Sequence, residues 1–370
     1  MTAIPADARA MSAMLTVDLA AVRENYRLLS RRAAVPLLPM VKGDAYGLGA
    51  VPVARALAGE SPVAFGVASV LEGCELRTAG IADAIVVFTP VLPHDFPAAR
   101  VADLTLCLSN PSHVAAWTST GGNWQLPIDT GMQRNGVDWR DAGELRDVLA
   151  AGGQPAGIFT HFHSPDSDPD SIAVQESRFE QVLAGFATRP ASIHAENSAA
   201  LLQRVESRYD CARPGIALYG VAVGPAAWVP RGVVTLAGPV VELRRVSAGD
   251  TVSYGATWRA TGERRIATVA LGYADGYPRG AGNGATAMVH DRQVPVVGIV
   301  TMDMTMCDVT DVPCQVGDCV TLIGGDAGSS IAAVASHAQR SPYEVLTALR
   351  SRVARAYAGA DVSRARGTAA

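Results

Sequence analysis

Residues 36–49 read PLLPMVKGDAYGLG. The first half is a short apolar run that stops at Lys42, and the second is a glycine-punctuated turn leading into a helical pattern over 49–60. The texture of a short strand, a polar end and a turn into a helix recurs along the chain. Further runs lie at 63–69 (VAFGVAS), 84–90 (AIVVFTP), 104–110 (LTLCLSN), 124–130 (WQLPIDT), 155–162 (PAGIFTHF), 191–198 (ASIHAENS) and 209–216 (YDCARPGI). Between them, segments such as 70–80, 139–151 and 170–187 carry apolar residues at helical spacing and meet glycine at their ends. Eight strands alternating with helices or turns predict a (β/α)8 barrel, assigned to residues 15–230.

From 231 onward strand-like runs follow one another with turns between them: GVVTLAGPVVELRRV, DTVSY, RIATVALGY, AMVHDRQVPVVGIV, MCDVTDV and DCVTLIGG. This predicts a mostly-β domain over 231–370, closed by a helix near 342–357. Residues 1–14 read as an N-terminal extension, with 1–13 expected to be loose.

Composition narrows the function classes. The chain has 370 residues, 49% hydrophobic and 18% charged, which suits two globular domains and excludes disorder. A net charge of −4 argues against a general nucleic-acid binder. No apolar run approaches the length of a membrane span, and the opening residues lack a basic stretch followed by an apolar segment, so neither a span nor an export signal is expected. Six cysteines, at 74, 107, 211, 307, 314 and 319, are scattered without CxxC spacing. That argues against a zinc site or a disulfide framework and fits free thiols in a cytoplasm.

Lys42 is the one lysine of the chain; the other 30 of 31 basic residues are arginine. Arginine replaces lysine wherever a solvated charge suffices. It cannot act as an amine nucleophile, because its guanidinium stays protonated. Lys42 also falls at the C-terminal end of a barrel strand, where barrel active sites lie, and beside an apolar run that lowers an ammonium pKa. Other strand ends bring polar groups to the same mouth: Asp129 and Arg134, His161 and His163, His194 with Asn197 and Ser198, and Arg213 with Gly215. Each has a structural reading, as a satisfied core histidine or as turn chemistry; together they point to a site.

The chain resembles the alanine racemase family, pyridoxal phosphate enzymes built on a barrel plus a β domain. The resemblance covers nearly the whole chain and rests on PMVKGDAYGLG, IDTGMQRNG, THF, HAENSAALL, ARPGIALYG, VSYGATW, LGYADGYPRG, GIVTMDM and EVLTALRSRVARAY, in the family's order. It implies that Lys42 binds pyridoxal 5′-phosphate and acts as one acid–base group, and that Tyr254 is the other, reaching the opposite face of the cofactor from the second subunit of a homodimer. It implies Arg213 on the pyridine nitrogen, where an arginine keeps that nitrogen unprotonated. His194 is expected within reach of Tyr254 and Arg213. Tyr46, Ser198, Gly215 and Ile216 are expected to hold the phosphate. His161 would pack on the ring, supported by Asn197. Arg134 and the Met302 backbone would bind the substrate carboxylate, and Tyr273, Arg279 and Asp303 match the family's entryway. The implied activity is interconversion of L- and D-alanine, supplying D-alanine for a bacterial cell wall. The alternatives are a racemase for another amino acid such as serine, or a non-catalytic cofactor-binding protein.

Four positions depart from the family. Pro127 stands seven residues before Arg134, where many members carry a lysine, often carbamylated, that orients the arginine. Leu48 replaces the usual histidine of the glycine loop. Phe159 stands where a tyrosine is common. Ser351 aligns with a tyrosine that contacts the phosphate and the catalytic tyrosine, a change expected to enlarge and polarise the space near Tyr254.

Overall fold

The structure is a computed structural model that describes residues 12–203, 206–226, 228–325 and 328–359. Residues 1–11, most of the extension expected to be loose, lie outside the described residues. The chain divides into two compact units, Val22–Arg231 and Met1–Ala21 with Gly232–Ala370. Strand β1 (Met14–Asp18) and the helix Leu19–Ala33 open the described chain.

In the first unit, strands β2 (Phe65–Val67), β3 (Ile85–Val87), β4 (Thr105–Cys107), β5 (Trp124–Asp129), β7 (Gly157–Phe159) and β8 (Ile193–His194) pair in that order, all parallel. β6 (Val137–Asp138) lies beside β5. Two short segments close the ring. Met40 bridges Gly66 of β2, Leu37 bridges Ala212, and Arg213 bridges Asn197 just past β8. Backbone bonds run along both seams: Gly66 N–H donates to Pro39 O (2.9 Å), Met40 N–H to Pro214 O (2.8 Å) and Arg213 N–H to Glu196 O (2.8 Å). All eight strand runs of the sequence therefore take part in the barrel. Every residue of β5 is buried, as expected of a parallel strand covered on both faces. The helices that follow are started by local chemistry: Ser69 forms a capping box with Glu72 before Val70–Thr78, and Asn110 caps Pro111–Thr118.

The second unit is mostly strand. Its spine is the 13-residue β9 (Val234–Val246). β10 (Thr251–Val252) pairs with β11 (Trp258–Arg259), and β12 (Arg264–Val269) lies between β9 and β15 (Thr305–Asp308). β13 (Thr286–Val289) pairs with β14 (Arg292–Pro295) and with β16 (Cys319–Ile323), which returns to β9.

Two sequence expectations are corrected here. β1 is antiparallel to β9 and parallel to β17 (Ala354–Ala358), so the chain's first strand belongs to the β unit and the barrel unit starts at Val22 rather than at 15. The helix expected near 342–357 stops at Thr347. The alternation that reads as an amphipathic helix is overridden by pairing of 354–358 with a strand more than 300 residues away in the sequence, a contact that no local pattern can signal.

Candidate active site

The stretch after Lys42 is a left-handed turn. Gly43, Asp44, Ala45 and Tyr46 have φ of 63, 54, 53 and 58°. Each residue with a Cβ in that region costs about 1–2 kcal/mol, so the turn persists only because its surroundings hold it. Gly49 N–H donates to Asp44 O (2.8 Å) and Ala50 N–H to Asp44 Oδ1 (2.7 Å). The turn buries Tyr46, whose ring lies 5.0 Å from that of Tyr219, and the Tyr219 hydroxyl donates to Met40 O (2.8 Å). A Cβ built on Gly215 would lie 2.2 Å from the Tyr46 hydroxyl. Gly215 and Ala217 N–H groups donate to Ser198 Oγ (2.8 and 3.2 Å). Tyr46, Ser198, Gly215 and the adjoining buried Ile216, the set expected to hold the phosphate, meet at one corner of the barrel mouth. A hydroxyl faces a backbone kept bare by glycine, which is a cradle fit for a phosphate.

Lys42 presents an exposed surface at this mouth. Even so, the protein packed around it desolvates the amine, and with Arg134 and Arg213 this lowers its pKa, against an opposing pull from Glu72. His161 shares this neighbourhood. Burial, then Arg213, Arg134 and Lys42, push its pKa down to about 3, so it is neutral at pH 7. Its loop is held by Gln175, which donates to His161 O (3.0 Å) and accepts from His163 N–H (2.9 Å). Asn197 supports the same loop by donating to Phe162 O (3.4 Å).

Arg213 lies beneath, almost fully buried. Nη1 donates to His194 Nδ1, and Nη2 donates to Thr160 O (2.8 Å) and Ala195 O (2.9 Å). Burial lowers its pKa to about 10, which still leaves it charged at neutral pH. Of its five N–H donors, Nε–H and one on Nη1 have no partner among the described residues, so an acceptor such as a ring nitrogen would meet donors already in place. His194 is fully buried and its pKa is pushed well below the usual value, first by desolvation and then by Arg213. A neutral ring that accepts from arginine at Nδ1 carries its proton on Nε2 and donates it to Gln125 Oε1 (3.0 Å). Phe159 stacks on this ring, 5.0 Å away and 10° from parallel.

Both nitrogens of His194 are thus engaged inside the barrel. The expected bond to Arg213 is present. Phe159 presents an apolar face to the His194 ring, and Gln125 supplies the acceptor for Nε2–H. Sequence reading passed over Gln125, because a glutamine inside an apolar strand run carries no motif.

Arg134 stands on the loop after β5. Asp129 organises that loop by accepting from Gly131 N–H (2.8 Å) and Arg134 N–H (3.1 Å). Its guanidinium makes no hydrogen bond or ion pair among the described residues, and Pro127, buried within β5, offers it no charge. Leu48 is fully buried.

In the β unit, Tyr254 begins the short turn Tyr254–Ala256 and is 72% exposed. Ser253, Gly255 and Ala256 around it all have positive φ. Ser253 Oγ donates to Ile299 O (2.6 Å), which ties this turn to the loop bearing Met302 and Asp303. Tyr273 N–H donates to Thr301 O (3.0 Å) and Ala274 N–H to Met302 O (2.9 Å). Gly272 permits that approach, since a Cβ there would sit 2.4 Å from Met302 O. Arg352 braces the loop, reaching buried Asp275 (2.6 Å) and Asp303 (2.8 Å). Tyr254, Tyr273, Met302 and Asp303 thus belong to one connected set of loops. Ser351 is exposed beside Arg352.

Two family models match the chain: alanine racemase, N-terminal domain, over residues 17–223, and alanine racemase, C-terminal domain, over 233–357. The alanine racemase of Symbiobacterium thermophilum is 39% identical over 362 residues, spanning 93% of this chain and 96% of its own. That of Acidiphilium cryptum is 37% identical over 351 residues, spanning 92% and 97%. Among solved structures, the alanine racemase of D-cycloserine-producing Streptomyces lavendulae superposes with a TM-score of 0.87 at 33% identity, covering 94% of this chain and 97% of that one. The Bartonella henselae alanine racemase with covalently bound pyridoxal phosphate superposes with a TM-score of 0.83 at 28% identity, covering 94% and 99%.

Proposed function

The chain belongs to the alanine racemase family, and from that premise we propose that Lys42 and Tyr254 are its two acid–base groups. The chain is an alanine racemase that interconverts L- and D-alanine, with pyridoxal 5′-phosphate as its cofactor. The donor set suits that cofactor: one amine with a lowered pKa, the glycine-backed cradle of Tyr46, Ser198, Gly215 and Ile216, and a buried guanidinium with two uncommitted N–H donors. When bound, the cofactor supplies an electron sink for the substrate α-carbon.

The remaining chemistry belongs to the residues. Lys42 alternates between holding the cofactor and exchanging a proton at Nζ. Desolvation, with Arg134 and Arg213, lowers its pKa and so favours the free amine that proton exchange requires. Tyr254 exchanges the proton on the other face through its hydroxyl. Racemisation needs both, because a proton lost on one side must be returned on the other. Arg213 would hold the pyridine nitrogen through an N–H it does not release, which would restrain the electron sink. His194, locked neutral, holds Arg213 in place. His161 would pack on the cofactor ring, with Asn197 supporting its loop. Arg134 and the Met302 backbone receive the substrate carboxylate, and Tyr273 and Asp303 line its approach.

The observation that carries this reading is the gathering of the sole lysine with Arg213, Arg134 and His161 at one barrel mouth. Tyr254 completes the site as Tyr254 of the partner subunit in a homodimer, and its exposure supports that role. No helix among the described residues is long and apolar enough to cross a membrane, and we place the enzyme in the cytoplasm, supplying D-alanine for a cell wall. Proton NMR of L-alanine in D2O with the cofactor-loaded protein tests the reading. Loss of the α-proton signal with accumulation of D-alanine is expected. A silent sample with cofactor bound on Lys42 would overturn it, and a panel beginning with serine would then separate a changed substrate from a protein that only holds its cofactor.

A further inference from the structure

The strained turn after Lys42 is held partly from outside itself. Gly43 N–H donates to Glu72 Oε1 (2.7 Å), and Glu72 stands in the first turn of the helix that follows β2, the neighbouring strand. The other carboxylate oxygen, Oε2, accepts from Ala68 N–H (2.6 Å) and Ser69 N–H (3.4 Å), while Glu72 N–H donates to Ser69 Oγ (3.2 Å). Capping the helix requires only the exchange with Ser69. The bond to Gly43 is additional, and it fixes the peptide plane that carries Lys42 into the turn.

We propose that Glu72 is a positioning residue for Lys42: its carboxylate clasps the Lys42–Gly43 peptide to the end of the next strand and so fixes the backbone that carries the amine. The inference rests on reading Lys42 as the reacting amine. Of the charged groups acting on Lys42, Arg134 and Arg213 disfavour its protonated form and Glu72 favours it; His161 faces it uncharged. Without Glu72 the amine would stand among cations alone, and its proton would leave at lower pH. One side chain therefore sets both the direction of the lysine and the pH range in which it holds a proton.

Because Lys42 is the only lysine, its reactivity can be read in the full-length protein stripped of cofactor. Acetic anhydride labelling across pH, with peptide mass separating Lys42 from the N-terminal amine, gives a midpoint for each variant. Glu72→Gln is expected to lower that midpoint by about half a pH unit or more. Ser69→Ala breaks the helix cap but keeps the carboxylate, so it should leave the midpoint where it was. An unmoved midpoint in Glu72→Gln, or an equal movement in Ser69→Ala, would overturn the proposal and leave Glu72 as a helix cap. If Glu72→Gln does not fold, Glu72→Asp keeps the charge on a side chain one methylene shorter. It should slow capture of added pyridoxal phosphate at least severalfold, and a wild-type capture rate would overturn the clasp. Neither readout depends on racemisation, so failure of the alanine assay and failure of the Glu72 role are distinguishable.

Discussion

At the barrel mouth Arg213 is 4% exposed and commits three N–H donors to His194, Thr160 and Ala195, whereas in the β unit Tyr254 is 72% exposed and its hydroxyl has no partner among the described residues. Both groups are assigned to the same chemistry, yet their own units prepare them differently. The barrel group is desolvated, which lowers its pKa, and is fixed in direction by acceptors at the ends of adjacent strands. The tyrosine is held only through its backbone, by a turn of positive-φ residues anchored at Ile299. A proton-transfer group left this open lacks the surroundings that exclude water. We propose that the second surface that encloses it belongs to another copy of the chain.

The largest expected effect sharpens this contrast. Tyr254→Phe removes a hydroxyl with no partner in its own unit, so the melting temperature should stay put while kcat falls about 10²- to 10⁴-fold. A parallel loss of stability would mean the tyrosine is structural. On the barrel side the order reverses. Gln125→Leu strands the Nε2–H of buried His194, which should cost about 1–3 kcal/mol in chemical denaturation. An unchanged midpoint would break the claim that the barrel group is locked from below.

The buried histidines make a pH prediction of definite sign. The folded state holds His161 near 3, while an unfolded chain titrates it near 6.5. As pH falls, the unfolded state takes up the proton first. Stability therefore rises with pH between about 3 and 6.5 and levels off above. At pH 5 the loss from this one group is about 2 kcal/mol. His161→Gln should shrink the fall in Tm between pH 7 and pH 5, and an undiminished fall would assign the acid sensitivity elsewhere. The smallest effect concerns Ser351. Ser351→Tyr should favour alanine over serine in kcat/KM by a fewfold, about 1 kcal/mol, and an unchanged ratio would remove the specificity role from that position.

Much of this was legible in the sequence wherever a local signal existed. Eight apolar runs marked the barrel strands because each is bounded by turns and helical spacing. Lys42 stood out because it is the only amine among 31 basic residues. The parts that were missed depend on partners distant in the chain. Residues 354–357 read as the end of a helix until β1 pairs with 354–358. Gln125 reads as an ordinary strand residue, and only the fold sets it against His194, 69 positions away. Glu72 drew no notice in the sequence, and only the fold shows both its capping box with Ser69 and its bond to Gly43.

A mixing experiment tests the composite site most directly. Lys42→Ala and Tyr254→Phe are each expected to be inactive alone. If Tyr254 serves the site of the other copy, a mixed dimer holds one site with both groups intact. Random exchange of equal amounts should then restore about a quarter of wild-type racemisation. Two inactive variants that stay inactive after demonstrated subunit exchange would contradict the account.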